Sequence, residues 1–345
     1  MSNVINQKHG AGWTYYQGDC IQVMPGLPEN SVDLTVTSIP FSNLYIYSDS
    51  DADVGNAADK REFFEHMRFV IRELYRVTVP GRCCAVHVKD LPLFQNRDGV
   101  MGIDPFSDDT SLAFRQEGWV LQSRVTVEKD PVIEMEKTNS HGLLFKNYKE
   151  RAELLRVGLP DYILIFQKPG DTKAKRVKDD PNDESYYGNN PPKPHEWLEL
   201  PAKGTGRNNH NLPTWQRYAN PNWNDVTVPL VWTDIRQTEV LNFLVAKGNK
   251  DERHICPLQL DLIARVIDWK SNPGDVVMDC FGGIASTGYE ALKLGRKFVG
   301  VELKPEYWNL GVKYLTEAER KATQIDLFEW ASLQTAATAT LEPQP

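Results

Sequence analysis

The 345-residue chain carries 39 Lys and Arg against 47 Asp and Glu, a net charge of -8, and 41% of its residues are hydrophobic. That share supports a real core, and the length allows one large domain with a smaller one inserted. The acidic balance argues against polyanion binding over the whole surface, the polar start predicts no secretory signal, and the lack of a long uncharged apolar run excludes a membrane span.

In chain order, residues 14–17 read as a strand. Asp19 then stands before a short helix over 20–24, which it can N-cap. Residues 32–37 form a buried strand that ends in Ser38-Ile39-Pro40-Phe41. A helix over 60–77 follows, in which Phe63, Phe64, Met67, Val70, Ile71 and Leu74 recur at helical spacing as core positions. Strands are predicted over 83–88, 120–127 and 162–167, with a helix over 111–116 between the first two. Cys20, Cys83, Cys84, Cys256 and Cys280 make no CxxC pair, so reduced thiols and a cytoplasmic setting are expected.

Residues 171 to 249 break the pattern. They are dense in Asn, Pro and Gly, with Trp197, Trp215, Trp223 and Trp232 interleaved, which reads as an irregular subdomain packed on its tryptophans. A basic run over 168–178 leads into it and reads as a solvated linker or a local anion patch. The remaining histidines have no metal-binding spacing, so no metal is assigned.

The C-terminal part is the most informative. VVMDCFGGIASTGYEALKLGRKFVGVE, residues 276–302, reads as strand, glycine turn, helix and strand. Gly282 and Gly283 permit a tight turn, Ser286 or Thr287 can cap the helix that closes at Gly295, and Glu302 ends the second strand. An acid about twenty residues past such a turn is placed to bond a ribose. FGGIASTG lacks the G-x-G-x-x-G spacing of dinucleotide sites, so a mononucleoside ligand such as S-adenosylmethionine suits it better. A last helix begins near Pro305, and the Ala/Thr-rich tail over 331–345 is expected to be flexible. One βαβ unit cannot bury its own sheet, so the other strands must come from the N-terminal part. The expected fold is α/β, a permuted Rossmann-like, doubly wound sheet with an inserted loop-rich subdomain.

The Ser38-Ile39-Pro40-Phe41 run resembles the S/D/N-P-P-Y/F motif of DNA amino-methyltransferases. Its position ahead of the glycine turn resembles their β class, with the order catalytic motif, target-recognition region, cofactor motif. Further resemblance runs through GDCIQVMPGLPENSVDLTVTS, ERHICPLQLDLIARVI and the 276–302 segment, and the overall pattern looks most like enzymes carried by phages and prophages.

The resemblance implies a site-specific enzyme that moves a methyl group from S-adenosyl-L-methionine to an exocyclic amine of a flipped base in double-stranded DNA. Ser38, Ile39, Pro40 and Phe41 would serve the base. Asp19, His254, Pro257, Asp279, Phe281, Gly283, Ser286, Thr287 and Glu302 would serve the cofactor. Lys129-Asp130-Pro131 would lie beside the flipped base or form a solvated loop. It divides the chain into a catalytic half over 12–170, a recognition region over 171–249 and a cofactor half over 250–325. A serine-led motif ending in Phe leans toward N4 of cytosine, with N6 of adenine the alternative. Three positions depart from the pattern: Ile39 and Cys280 replace prolines, and Ala285 replaces a glycine. They keep a catalytically impaired DNA-binding relative in view, and the oligomeric state stays open, a homodimer included.

Overall fold

The computed structural model describes residues 4–41, 57, 59–131, 149–150, 158–171, 231–243 and 257–339, with 323–339 described by backbone alone. The elements in order are β1 (Asn6–His9), β2 (Trp13–Gln17), α1 (Cys20–Val23), β3 (Val32–Ser38), α2 (Lys60–Val77), β4 (Thr78–Lys89), β5 (Leu91–Leu93), α3 (Gln95–Asp98), β6 (Gly102–Asp104) and α4 (Phe106–Gln116). After them come β7 (Val120–Val127), β8 (Asp161–Gln167), β9 (Val231–Trp232), α5 (Leu260–Lys270), β10 (Val276–Asp279), α6 (Ser286–Lys293), β11 (Lys297–Glu302) and α7 (Pro305–Ala339).

Nine strands make one sheet in the order β1-β2-β11-β10-β3-β4-β8-β7-β9. The run β2-β11-β10-β3-β4 is parallel, and β8 enters antiparallel between β4 and β7. The C-terminal strands β10 and β11 therefore stand between β2 and β3, as the permuted arrangement requires.

The sheet is buried on both faces because its central strands are continuous apolar runs. On one face, Phe63, Met67, Ile71 and Leu74 of α2 and Phe114 of α4 pack against Cys84, Val86 and Phe166. On the other, Ile263 and Ile267 of α5, Leu292 of α6 and Trp308 and Leu315 of α7 pack against Leu34, Val36, Ile165 and Val277.

Several boundaries differ from the sequence reading for physical reasons. β4 starts at Thr78 instead of 83, because α2 runs directly into it. The Thr78 hydroxyl donates to Leu74 O at 2.7 Å, and a register shift between Val32 and Leu34 takes up Pro80 and Gly81. α4 starts at Phe106 instead of 111, where Asp90 Oδ1 accepts from Ser107 N at 2.9 Å, a cap supplied from a distant strand end. β1 is an exposed polar edge strand without the alternation that marks a strand. The backbone of 331–339 is helical where a flexible tail is expected; alanine is the strongest helix former.

The segment 231–243 closes the far edge of the sheet. β9 pairs in parallel with β7, Thr126 opposite Val231 and Val127 opposite Trp232. Bidentate pairs from Arg236 to Asp261 at 2.6 and 2.7 Å and from Arg265 to Asp234 at 2.8 Å join it to α5. Trp232 thus belongs to the sheet edge, whereas Trp197, Trp215 and Trp223 lie outside the described residues. Among the described residues no helix is long and apolar enough to cross a membrane, and Cys20, Cys83, Cys84 and Cys280 are free and buried.

Candidate active site at the switch point of the sheet

β10 leads outward to β11 and β2, and its neighbour β3 leads the other way to β4. Their adjacent C-terminal ends form the topological switch point, where open α/β sheets bind ligands. Ser38, Asp279, Glu302 and the Gly18-Asp19 turn all lie on this side of the sheet.

Asp279, at the end of β10, is the knot of the cofactor half. Its carboxylate accepts from Thr37 Oγ1 at 2.7 Å, Thr287 Oγ1 at 2.9 Å and Phe281 N at 3.0 Å. β3, the glycine turn and α6 are thereby tied to one side chain. Burial raises its carboxyl to about 6, against those hydrogen bonds, which lower it. The folded value stands above the ~3.9 of an unfolded chain, so the folded state takes up a proton as pH falls through about 6 toward 4. The stability this group contributes rises over that window. An Asp279→Asn variant has no such proton, so in thermal melts its deficit in Tm against wild type should be wider at about pH 5 than at about pH 7.5.

The glycine turn holds open space. Gly283 has φ 54°, and nothing lies within 4 Å of where a Cβ would stand. At Gly282 a Cβ would meet the Tyr15 hydroxyl oxygen at 2.7 Å, so only glycine fits. Tyr15 is fully buried, stacks on Trp308 at 6.5 Å and donates its hydroxyl to Gly283 O at 2.7 Å. Glu302 accepts from Gly283 N and Lys304 N, both at 2.7 Å. Its backbone oxygen accepts from Gly18 N at 2.9 Å, which brings the Asp19 turn beside it. Asp19 N-caps α1, accepting from Ile21 N at 2.9 Å, and burial raises its carboxyl against that bond.

The expected cap of α6 by Ser286 or Thr287 is not formed. The N-cap is Ala285, in the left-handed region at φ 64°, ψ 37°, without a side-chain bond. Thr287 instead donates to Asp279 and to Val36 O at 3.2 Å. Ser286 Oγ is buried and makes no hydrogen bond. Left-handed geometry costs a non-glycine residue roughly 1–2 kcal/mol, which explains the glycine in the family pattern. Here the methyl of Ala285 turns to α7, where a Cβ at Gly311 would stand 3.2 Å from it. It does not project into the open side of the turn. Pro257 lies partly buried three residues before α5, and His254 lies outside the described residues.

The other half of the crevice starts at the end of β3. Ile39 and Pro40 are buried, whereas Phe41 stays partly exposed. Ile39 is thus a core anchor of the loop, and this apolar side chain takes the place of the family's first proline. The Phe41 ring lies 5.9 Å from the His87 ring and meets Phe106 edge-on at 6.3 Å. Ser38 Oγ stands 2.8 Å from His87 Nδ1, and His87 Nε2 stands 3.0 Å from Asp161 Oδ2. Lys129 Nζ pairs with the same Asp161 oxygen at 2.6 Å, with only 13% of its side chain exposed, so it is part of this cluster and not a solvated loop. Burial works to raise Asp161, but the hydrogen bond from His87 and the charges of His87, Lys129 and Lys89 outweigh it and hold the carboxyl well below the usual range.

Sequence reasoning missed His87 and Asp161. The available signal was weak, a single histidine inside the apolar run AVHV and an acid opening DYILIF. Register explains their meeting, since Ser38 faces His87 across β3–β4 and Asp161 faces Lys89 across β4–β8.

A permuted parallel sheet with a glycine turn at its switch point defines a Rossmann-like α/β methyltransferase fold. Comparisons with known proteins agree. The family model described as DNA methylase matches residues 32–313. M1.MboII, a type II methyltransferase of Moraxella bovis, is 46% identical over 66 residues, 19% of this chain and 25% of its own length. The chain spans about half or less of the length of three of the curated relatives it matches. Among solved structures, the DNA modification methylase TTHA0409 of Thermus thermophilus in complex with S-adenosyl-L-methionine has a TM-score of 0.57 at 23% identity, covering 88% of this chain and 95% of that one. The cytosine-N4-specific PvuII DNA methyltransferase has a TM-score of 0.56 at 15% identity, covering 93% and 96%. The chain belongs to the DNA methylase family of N6 and N4 amino-methyltransferases. Its order, with the serine motif ahead of the glycine turn, is that of the β class.

Proposed function

We propose that this protein methylates an exocyclic amine of a flipped base in double-stranded DNA, using S-adenosyl-L-methionine, and that the target is N4 of cytosine. The observation that carries this reading is one crevice with two halves, an open glycine turn beside Glu302 and Asp19, and a Ser38–Phe41 corner across from it. The turn fits the cofactor on two counts. Gly283 leaves a cradle that a side chain would fill, and Ser286 Oγ is a buried polar atom awaiting a partner. Glu302 would hold the ribose, and Asp19, Phe281 and Pro257 would line the remainder. Bound there, the cofactor supplies an electrophilic methyl group, whose bond to sulfur breaks with the electron pair left on sulfur.

The base amine is a poor nucleophile because its lone pair is delocalised into the ring. Ser38 Oγ and the Ile39 carbonyl accept its hydrogens and favour a pyramidal nitrogen, which is positioning plus electrostatic stabilisation. Phe41 offers the flat surface on which a flipped base stacks. Phe41→Ala should lower the affinity for DNA carrying the target by roughly 1–3 kcal/mol, with Phe41→Tyr retaining much of it. Gel-shift titration checks this, and an unchanged affinity would leave Phe41 as a core aromatic on Phe106. The serine-led motif ending in Phe favours cytosine. Residues 171–249 are inferred to choose the DNA sequence, with Asn, Arg and Lys suited to base edges. Incubating the protein with labelled cofactor and unmethylated DNA, then identifying the labelled nucleoside, tests the whole reading.

A further inference from the structure

The cluster behind Ser38 is a chain of hydrogen bonds from the target corner into the sheet. Lys129 Nζ meets Asp161 Oδ2, which meets His87 Nε2, and His87 Nδ1 meets Ser38 Oγ, at 2.6, 3.0 and 2.8 Å. The two inner members are shut off from water, with the side chains of His87 and Asp161 only 9% and 8% exposed. From this geometry we infer that His87 and Asp161 hold Ser38 as a hydrogen-bond acceptor toward the target amine and receive the proton that the amine sheds on methylation. The inference rests on the proposed methyl transfer and deepens it.

The direction of each bond follows from the far end. Asp161, kept ionised in a buried site by Lys129 and His87, can only accept. His87 Nε2 must therefore carry a hydrogen, and in a neutral imidazole Nδ1 is then an acceptor. The Ser38 hydroxyl donates to that Nδ1, which turns its oxygen lone pairs to the crevice, where an amine hydrogen is met. Protonating His87 reverses the last link. Nδ1 then donates to Ser38 Oγ, and the hydroxyl hydrogen turns toward the amine, where two donors oppose each other.

The same chain takes away the surplus proton. When the amine nitrogen forms its bond to the methyl carbon with its lone pair, it carries one proton too many. That proton passes to Ser38 Oγ as the hydroxyl proton passes to His87 Nδ1. The serine ends neutral, and the imidazolium is balanced by Asp161. His87 and Asp161 touch no substrate and are positioning residues. The charged groups that face them are Lys129 after β7, Lys89 on β4 and each other, with the Phe41 ring on the open side.

The test uses the full-length protein in two arms. The first is nitrogen NMR of ¹⁵N-histidine-labelled protein without cofactor, the His87 signals being those missing from His87→Asn. The Nε2–H tautomer is expected, and an Nδ1–H tautomer overturns the inference. The second is turnover against pH with S-adenosylmethionine and unmethylated genomic DNA. Wild-type kcat should fall toward acid pH, as an imidazole that must stay neutral becomes protonated. In His87→Asn the amide oxygen can still accept from Ser38 but takes no proton, so kcat should drop about 10²-fold and lose its acid limb, with KM for the cofactor unchanged. A variant as fast as wild type, or one that keeps the acid limb, overturns the relay. If His87→Asn fails to fold, the wild-type pH profile decides, since a flat acid side is incompatible with the relay. Transfer by wild type with an unaffected variant sinks the relay alone, whereas no transfer to DNA by wild type sinks the functional reading and the relay with it.

Discussion

Replacing Ser38 by Ala should slow turnover by roughly 10²–10³ while S-adenosylmethionine binds as tightly as before, the usual cost of deleting one well-placed hydrogen bond in a transition state. The separation follows from the geometry. Ser38 ends β3 and bonds His87 at 2.8 Å, whereas the glycine turn is held by Glu302, Tyr15 and Asp279. Its hydroxyl supports no part of the turn, so the cofactor half should be untouched. Single-turnover rates alongside calorimetric titration of the cofactor measure both sides of the claim. A Ser38→Ala protein that loses cofactor affinity in step with rate would move Ser38 out of the base-binding corner.

Glu302→Ala should do the reverse. Its carboxylate orders the turn by accepting from Gly283 N and Lys304 N, and each of its oxygens has a further lone pair for a ribose hydroxyl. Loss of a charge-assisted hydrogen bond costs about 1.5–3 kcal/mol, so the dissociation constant for S-adenosylmethionine should rise about 10- to 150-fold. Some of that loss comes from the two N–H groups left without their acceptor, so thermal stability should fall too. Glu302→Gln keeps one acceptor oxygen and should lie between the two. Isothermal titration reads the effect directly, and an affinity equal to wild type would remove Glu302 from the cofactor site.

The parts of this fold that a sequence exposes are those governed by local patterning. The apolar runs of β3, β8 and β10, the periodic face of α2 and the glycine turn before α6 all declare themselves, because each needs its residue types within a few positions. The permutation is legible for the same reason, since a βαβ unit at the C-terminus has no other strands to pack against. What stays hidden depends on distant partners. The start of α4 is set by Asp90, seventeen residues away in the chain. Thr287 reads as a helix cap, yet it is drawn instead to Asp279 and the end of β3.

The candidate site divides along the same line. Ser38, Phe41, Gly283 and Glu302 stand in short motifs and are visible one by one. His87 and Asp161 carry no motif. They are 74 residues apart and meet only because β8 enters antiparallel beside β4, a fact of topology that no window of sequence contains. Ala285 shows a third case. As a sequence change it reads as a threat to the pocket, but Gly311 on α7 makes room for its methyl on the side away from the open turn.

The most direct measurement of the central claim is the identity of the modified nucleoside. Duplex DNA free of methylation is incubated with the protein and S-adenosylmethionine labelled in its methyl group, digested completely and resolved by mass spectrometry. The account predicts the label in N4-methylcytosine, abolished or reduced by roughly 10²–10³ in the Ser38→Ala protein. Label in N6-methyladenine would contradict the assignment of the base, and DNA that stays unlabelled while the protein binds the cofactor would contradict the account at its centre.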